Sequence, residues 1–276
     1  MCLAESMKND EFGDRMKEYE GVETGRRLDL MQPIYARIDG RCFSGFTRGM
    51  ERPFDAAMSH SMIEVTSCLV EETHARIGYT QSDEISLCWL AQAPESSILF
   101  DGKIQKMVSV LASIATAKFL QLALQRWPEK CAQALPTFDC RVFQLPSREE
   151  AANAFLWRAQ DATKNAISMA ARSHFSAKSL HGKNGLEMKQ MLAEKGIDFN
   201  DYPPAFRLGT FLRRVTTERP LSEEERGRIP EKHRPSLGTL FQRSHISTIE
   251  MPSFHQVANR SEVVFDGAEP MVWESA

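Results

Sequence analysis

Six cysteines, Cys2, Cys42, Cys68, Cys88, Cys131 and Cys140, occur in the chain, never as a CxxC pair or at metal-finger spacing. That spacing excludes a zinc-finger framework and reads as reduced thiols in a cytoplasmic protein. His233, His245 and His255 also lack metal-ligand spacing. No apolar run approaches the length of a membrane span, and the amino terminus MCLAESMKNDEF turns charged too soon for a signal peptide, so no membrane partner is expected. Excess positive charge is missing too. There are 34 Lys and Arg against 37 Asp and Glu, which argues against indiscriminate coating of nucleic acid but leaves room for a local basic face. Internal repeats and low-complexity tracts are absent. At 276 residues the chain suffices for one large domain, or a core with an appendage.

What the chain does carry is two acidic clusters where β-prone runs meet polar residues or Gly. They are Asp39 in YARIDGRCF and Asp83-Glu84 in GYTQSDEISLCWL. Between them Pro53 opens a helix, where its missing N–H is harmless, and Met58, Met62, Val65 and Leu69 recur along it at helical spacing. Residues 77–90 read as two strands joined by a tight turn at 81–83. A second long helix is predicted over 103–126, and TFDCRVFQLP is a further strand. Ser147 and Glu150 open a helix over 148–172, a short helix covers 186–195, and FRLGTFLRRVT is again a strand. The order strand, helix, strand, strand, helix, strand is the split βαβ pattern. It predicts an α+β domain over 1–217, with an antiparallel sheet and helices packed on one face. Residues 218–276 form a C-terminal extension with two strand-like runs, HISTIEM and SEVVFDG.

In such a fold the first strand and the hairpin lie side by side, so Asp39 faces the Asp83-Glu84 turn. Carboxylates placed together repel unless a divalent cation balances them. Two Mg²⁺ ions completed by substrate phosphates would do so, which points to phosphoryl or nucleotidyl transfer. Gly40 lets the backbone approach a phosphate or metal closely, and the N–H groups of Arg41 to Ser44 are placed to form a phosphate nest. Arg37 alternates with Asp39 on the strand and shares its side. On spacing alone, turn formation at strand ends accounts for Asp39 and Asp83 equally well. Tyr79, Trp89, Trp127 and Trp157 are scattered over different elements and read as core.

RIDGRCFSGF, RPFDAAM, YTQSDEISL, KMVSVLAS, FDCRVFQLPS and WRAQDATKN, in this order and spacing, resemble the tRNA(His) guanylyltransferase family over about residues 31–215. The resemblance implies a polymerase-palm (ferredoxin-like) domain that adds nucleotides in the 3′ to 5′ direction to the 5′ end of tRNA, with ATP and GTP as substrates. It implies metal ligands at Asp39, the Gly40 carbonyl and Asp83, with Glu84 as an adjacent required carboxylate. Nucleotide binding falls on Asp39, Gly40, Arg41, Cys42, Phe43, Ser44, Ser82 and Asp83, with Arg52, Lys103 and Lys106 on the triphosphate. A homo-oligomer, dimer or tetramer, is implied as well.

The sequence also departs from the family. Thr163 stands where the family's motif has His, most of the following Asn-Leu-Tyr-Asn run is changed, and Ser44 replaces another His. This is closer to the bacterial and archaeal members that rebuild truncated tRNA 5′ ends by templated addition. Two other readings remain: a palm-domain nucleotide cyclase or condensing enzyme without RNA, and a non-catalytic RNA-binding protein.

Overall fold

The computed structural model describes residues 10–93 and 95–273. Its helices and strands, in chain order, are α1 (Glu11–Thr24), β1 (Ile34–Arg41), α2 (Phe43–Phe46), α3 (Ala56–Thr73), β2 (Ile77–Gln81) and β3 (Glu84–Trp89). After these come α4 (Ile104–Arg126), α5 (Pro128–Gln133), β4 (Thr137–Gln144), α6 (Arg148–His174), α7 (Ala177–Leu180) and α8 (Gly185–Glu194). The chain then continues through α9 (Pro204–Leu208), β5 (Thr210–Pro220), α10 (Glu223–Gly227), β6 (Leu240–Ile249) and α11 (Arg260–Phe265). The six strands make one antiparallel sheet in the order β4-β1-β3-β2-β5-β6. Its first four strands are the split βαβ core that the sequence predicts.

Strand alternation sorts β1 between two layers. Ile34, Ala36 and Ile38 enter a core with Ile85, Leu87, Met62, Val65, Leu69, Leu111 and Phe119, so α3 and α4 cover that face. Tyr35 points the other way, into a second core with Tyr79, Cys88, Phe155, Phe211 and Val263. The helices of the split βαβ unit thus lie on one face as expected, and α6 with α11 closes the opposite one. Arg37 and Asp39 follow Tyr35 onto the α6 side. A third, smaller core of Ile167, Ala170, Leu192, Phe199 and Phe206 fixes α8 and α9 against the last turns of α6.

Several boundaries differ from the sequence reading. The first core helix starts at Ala56 rather than at Pro53, because Asp55 is extended and its carboxylate accepts the Met58 amide at 2.9 Å. β5 runs through the boundary set at residue 217, and β6 pairs with it from Phe211 to Pro220, so the extension begins inside the sheet. SEVVFDG is helix rather than strand. Val263, Val264 and Phe265 are all buried, and docking onto α6 overrides their β-propensity. By length and composition α4 is apolar enough to cross a membrane, contrary to the sequence reading. Here it is a core helix, with Met107, Leu111, Ala115 and Phe119 buried on the sheet.

Phe119 ties α4 to the strand ends, with its ring 5.2 Å from that of Phe43 and 5.6 Å from that of Phe138. Phe119→Ala should cost about 3–5 kcal/mol of unfolding free energy. A urea titration checks this, and a loss below about 1 kcal/mol would show that the three rings do not pack as a unit.

Candidate active site

The strand ends gather the charges. Asp39 lies in register with Glu84 of β3 on one side and Asp139 of β4 on the other. β2 and β3 are joined by the two residues Ser82 and Asp83, and Ser82 takes φ 55° to close the turn. The Gly40 amide donates to the Asp83 carbonyl at 3.0 Å. A Cβ on Gly40 would stand 2.5 Å from the Phe43 ring and 2.9 Å from the Asp83 Cβ, so only glycine lets the strand and the turn approach this closely.

The carboxylates then diverge in their surroundings. Glu84 is engaged by Arg158 of α6 through two bonds of 2.5 and 2.7 Å, and Arg158 also reaches Asp161 at 3.1 Å. Burial raises the Glu84 pKa against the pull of that guanidinium. The expectation that Glu84 joins a cation-balanced cluster is therefore corrected: its charge is balanced by Arg158, because the strand points it at α6. Among the described residues Asp83 has no such ion pair. Its carboxylate accepts the Ser82 hydroxyl at 3.1 Å, and its pKa is raised by burial first and by the neighbouring Asp39 charge as well, against the pull of hydrogen bonds from its own backbone and Ser82. The nearest cation to Asp39 is Arg141 at 3.8 Å, which is also held by Asp139 at 3.3 Å.

Asp39 and Asp83 thus form a mutually repelling pair of oxygen donors whose one ion-pair cation among the described residues is the shared Arg141, and this donor set suits a hard divalent ion. Among the described residues no three His, Cys, Asp or Glu side chains are arranged to hold an ion unaided. The remaining ligands would have to be a backbone carbonyl such as that of Gly40, water, or phosphate oxygens.

A cavity of about 370 Å³ opens beside Asp83. Ser44, Arg52, Ser82 and Asp83, four of the residues that the family resemblance implies for nucleotide binding, line it together with Met169 and Arg172 of α6. Cys42 adopts a left-handed conformation (φ 58°), which turns β1 straight into α2. That turn sends the Phe43 ring into the core, with one edge on the cavity, and Ser44 towards the opening. Phe54 stacks on Phe206 at 4.9 Å and so anchors the Arg52 loop to α9. Arg41 and Cys42 are exposed and line no part of the cavity.

Lys103 and Lys106 are a second correction. β3 runs away from the carboxylates, so the helix that follows it starts at the far end of the sheet. There Leu28, just before β1, bonds Gly102, and the Lys106 ammonium sits 5.2 Å from the Phe100 ring. Phe119, which meets Phe43 at the site end, lies about 24 Å further along the helix axis from Lys103 by the α-helical rise.

Sequence reasoning missed Asp139, Arg172 and the Arg158 clamp. The FDCRVF strand signals Asp139 through its register, whereas Arg158 and Arg172 become site residues only once α6 is known to cross the strand ends. Thr163, at the divergent family position, has its hydroxyl 3.1 Å from both the Ala159 carbonyl of its own helix and the Arg207 carbonyl of α9, so its one proton is shared between α6 and α9.

A sequence profile described as Thg1, tRNAHis guanylyltransferase, matches residues 13–146. The tRNA(His) guanylyltransferase of Saccharomyces cerevisiae is 26% identical over 228 residues, covering 75% of this chain and 92% of that protein. The uncharacterized protein R259 of Acanthamoeba polyphaga mimivirus is 26% identical over 228 residues, 75% of this chain and 78% of its own length. The solved structure of a bacterial tRNA(His) guanylyltransferase (Thg1)-like protein in complex with ATP superimposes with a TM-score of 0.75 at 32% identity, over 92% of this chain and 99% of that one. With this fold, these strand-end carboxylates and that overlap, the chain belongs to the tRNA(His) guanylyltransferase family and is a nucleotidyltransferase.

Proposed function

We propose that this protein adds nucleotides to the 5′ end of a tRNA in the 3′ to 5′ direction, with Mg²⁺ at the Asp39–Asp83 pair and ATP and GTP as substrates. The carrying observation is the pair itself, two like charges with only the shared Arg141 at 3.8 Å from Asp39 among the described residues, beside a cavity that holds Arg52 and Arg172. The bacterial relatives solved with ATP and with GTP, at 32% and 31% identity, support the choice of nucleotides. In this reading an oxygen of a 5′-monophosphate first attacks the α-phosphorus of a nucleoside triphosphate, forming a phosphoanhydride and releasing pyrophosphate. The 3′-hydroxyl of an incoming triphosphate then attacks the 5′-phosphorus of the RNA, forming the new phosphodiester and releasing the activating nucleotide and a proton. Bound Mg²⁺ would neutralise the developing charge on the phosphoryl oxygens.

The chain's residues have distinct parts. Asp39 and Asp83 supply the ion-binding oxygens, Gly40 keeps strand and turn close, Arg52 and Arg172 face the triphosphate, and Ser44 and Ser82 offer hydroxyls at the cavity wall. The Glu84–Arg158 pair positions β3 against α6. With Thr163 bonded to α9 in place of the family's His, the site suits templated 5′-end repair better than strict addition of one guanosine.

The RNA partner is supported by the β5–β6 ribbon, which runs beyond the rest of the sheet. Residues 213–245 hold eight Lys and Arg against five Asp and Glu, in a chain whose balance is −3. A local basic face of this kind attracts a phosphate backbone. The five cysteines of the described residues carry free thiols, which fits the cytoplasm. A homo-oligomer fits α1, which buries no residue and exposes Phe12, Met16 and Tyr19 on one stripe.

Purified protein incubated with a 5′-truncated tRNA, labelled triphosphates and Mg²⁺ should lengthen the RNA, and Asp39→Asn or Asp83→Asn should slow this on the order of 10²-fold or more with unchanged circular dichroism. Product from triphosphate alone would favour a cyclase and oppose the reading. In the same assay Arg52→Ala should weaken triphosphate binding about tenfold. Lys103→Ala and Lys106→Ala should leave it unchanged. Light scattering should return a multiple of 31.3 kDa that falls when Phe12 and Tyr19 become Ser; a wild-type monomer contradicts the oligomer.

A further inference from the structure

Trp157 is not core: 52% of it is exposed on α6, on the sheet face that Asp39 shares. Two guanidinium groups hold its ring, that of Arg158 at 4.6 Å and that of Arg37 at 5.5 Å from the centroid. Arg158 is committed to Glu84 and Asp161, so it acts as a fixed backing for the indole. Arg37 differs. Its Nε is shut off from solvent, yet among the described residues no carboxylate, carbonyl or hydroxyl accepts a hydrogen bond from its side chain. A half-buried cation with unused donors calls for an acceptor from outside the fold. Arg37 lies two residues before Asp39 on the same strand face, about 7 Å away, and Arg141 stands beside it in register on β4.

The triphosphate cavity does not include these residues. It is bounded by the β2–β3 turn, the Arg52 loop and the far end of α6, so the carboxylates separate two approaches. A reaction that joins two nucleotides needs both. From this juxtaposition we propose that Trp157 and Arg37 dock the 5′-terminal nucleotide of the RNA acceptor: its base stacks on the indole and its phosphate accepts from Arg37. Aromatic stacking tolerates any base, as addition to ends of differing sequence requires. Arg37 and Arg141 match the phosphate charge. The assignment rests on the 5′-end transfer proposed above.

The test uses the full-length protein with a 3′-labelled RNA hairpin bearing either a 5′-monophosphate or a 5′-hydroxyl, read by fluorescence anisotropy at fixed salt and Mg²⁺. GTP binding is followed in parallel by equilibrium dialysis. Trp157→Ala should weaken hairpin binding on the order of tenfold, and Trp157→Phe should stay within about twofold of wild type. Arg37→Gln should weaken the phosphorylated hairpin more than the hydroxyl form. GTP binding should be unchanged in all three. If wild type binds RNA and Trp157→Ala binds it equally well, the docking assignment is overturned while the transfer reading stands. Parallel loss of GTP binding, or a fall in oligomer mass in Trp157→Ala, overturns it as well. A wild type that binds no RNA overturns both.

Discussion

A single backbone contact, from the Gly40 amide to the Asp83 carbonyl, sets the distance on which the site depends. Without a Cβ at residue 40, the end of β1 and the β2–β3 turn close to a separation that any other residue would block. That closure places the charge of Asp39 against the already desolvated carboxyl of Asp83 and raises its pKa. Two like charges held together by a hydrogen-bonded backbone are costly unless something positive joins them. The site is thus a prepared deficit of positive charge at the mouth of a cavity.

The rest of the fold keeps that deficit confined. Glu84 is the immediate neighbour of Asp83, yet strand geometry turns it towards α6, where Arg158 takes both of its oxygens. Asp139 is served by Arg141. Glu84 thus has a cation of its own, whereas Asp39 shares Arg141 with Asp139 at a longer distance and Asp83 has no ion pair among the described residues. The far end of α6 also supplies Arg172 to the cavity, and its packing against α8 and α9 steadies the opposite wall.

The sequence reveals what local pattern encodes. YARIDG and QSDE each combine a strand with the turn residues that end it, so Asp39, Gly40 and Asp83 are legible without coordinates, as is the split βαβ order. Glu84 shows the limit: adjacency in sequence does not tell which face a side chain takes, and its partner Arg158 lies 74 residues away. Lys103 and Lys106 fail for a topological reason, since a helix that follows an outgoing strand begins at the far end of the sheet. Trp157 reads as core because large aromatics usually are. Only the position of α6 over the β1 face exposes it beside Arg37. In SEVVFDG the β-branched composition points to a strand, and contact with α6 makes it a helix.

The central claim is that the strand-end deficit is filled by divalent ions on Asp39 and Asp83 and not on Glu84. Crystals grown with Mn²⁺ and a non-hydrolysable nucleoside triphosphate, measured at the manganese absorption edge, test it directly. Anomalous peaks within coordination distance of the Asp39 and Asp83 carboxylates, with the Glu84–Arg158 pair intact, are the predicted result. Manganese coordinated by Glu84 with Arg158 displaced, or no peak between the β1 end and the β2–β3 turn while the triphosphate is bound, would contradict the account.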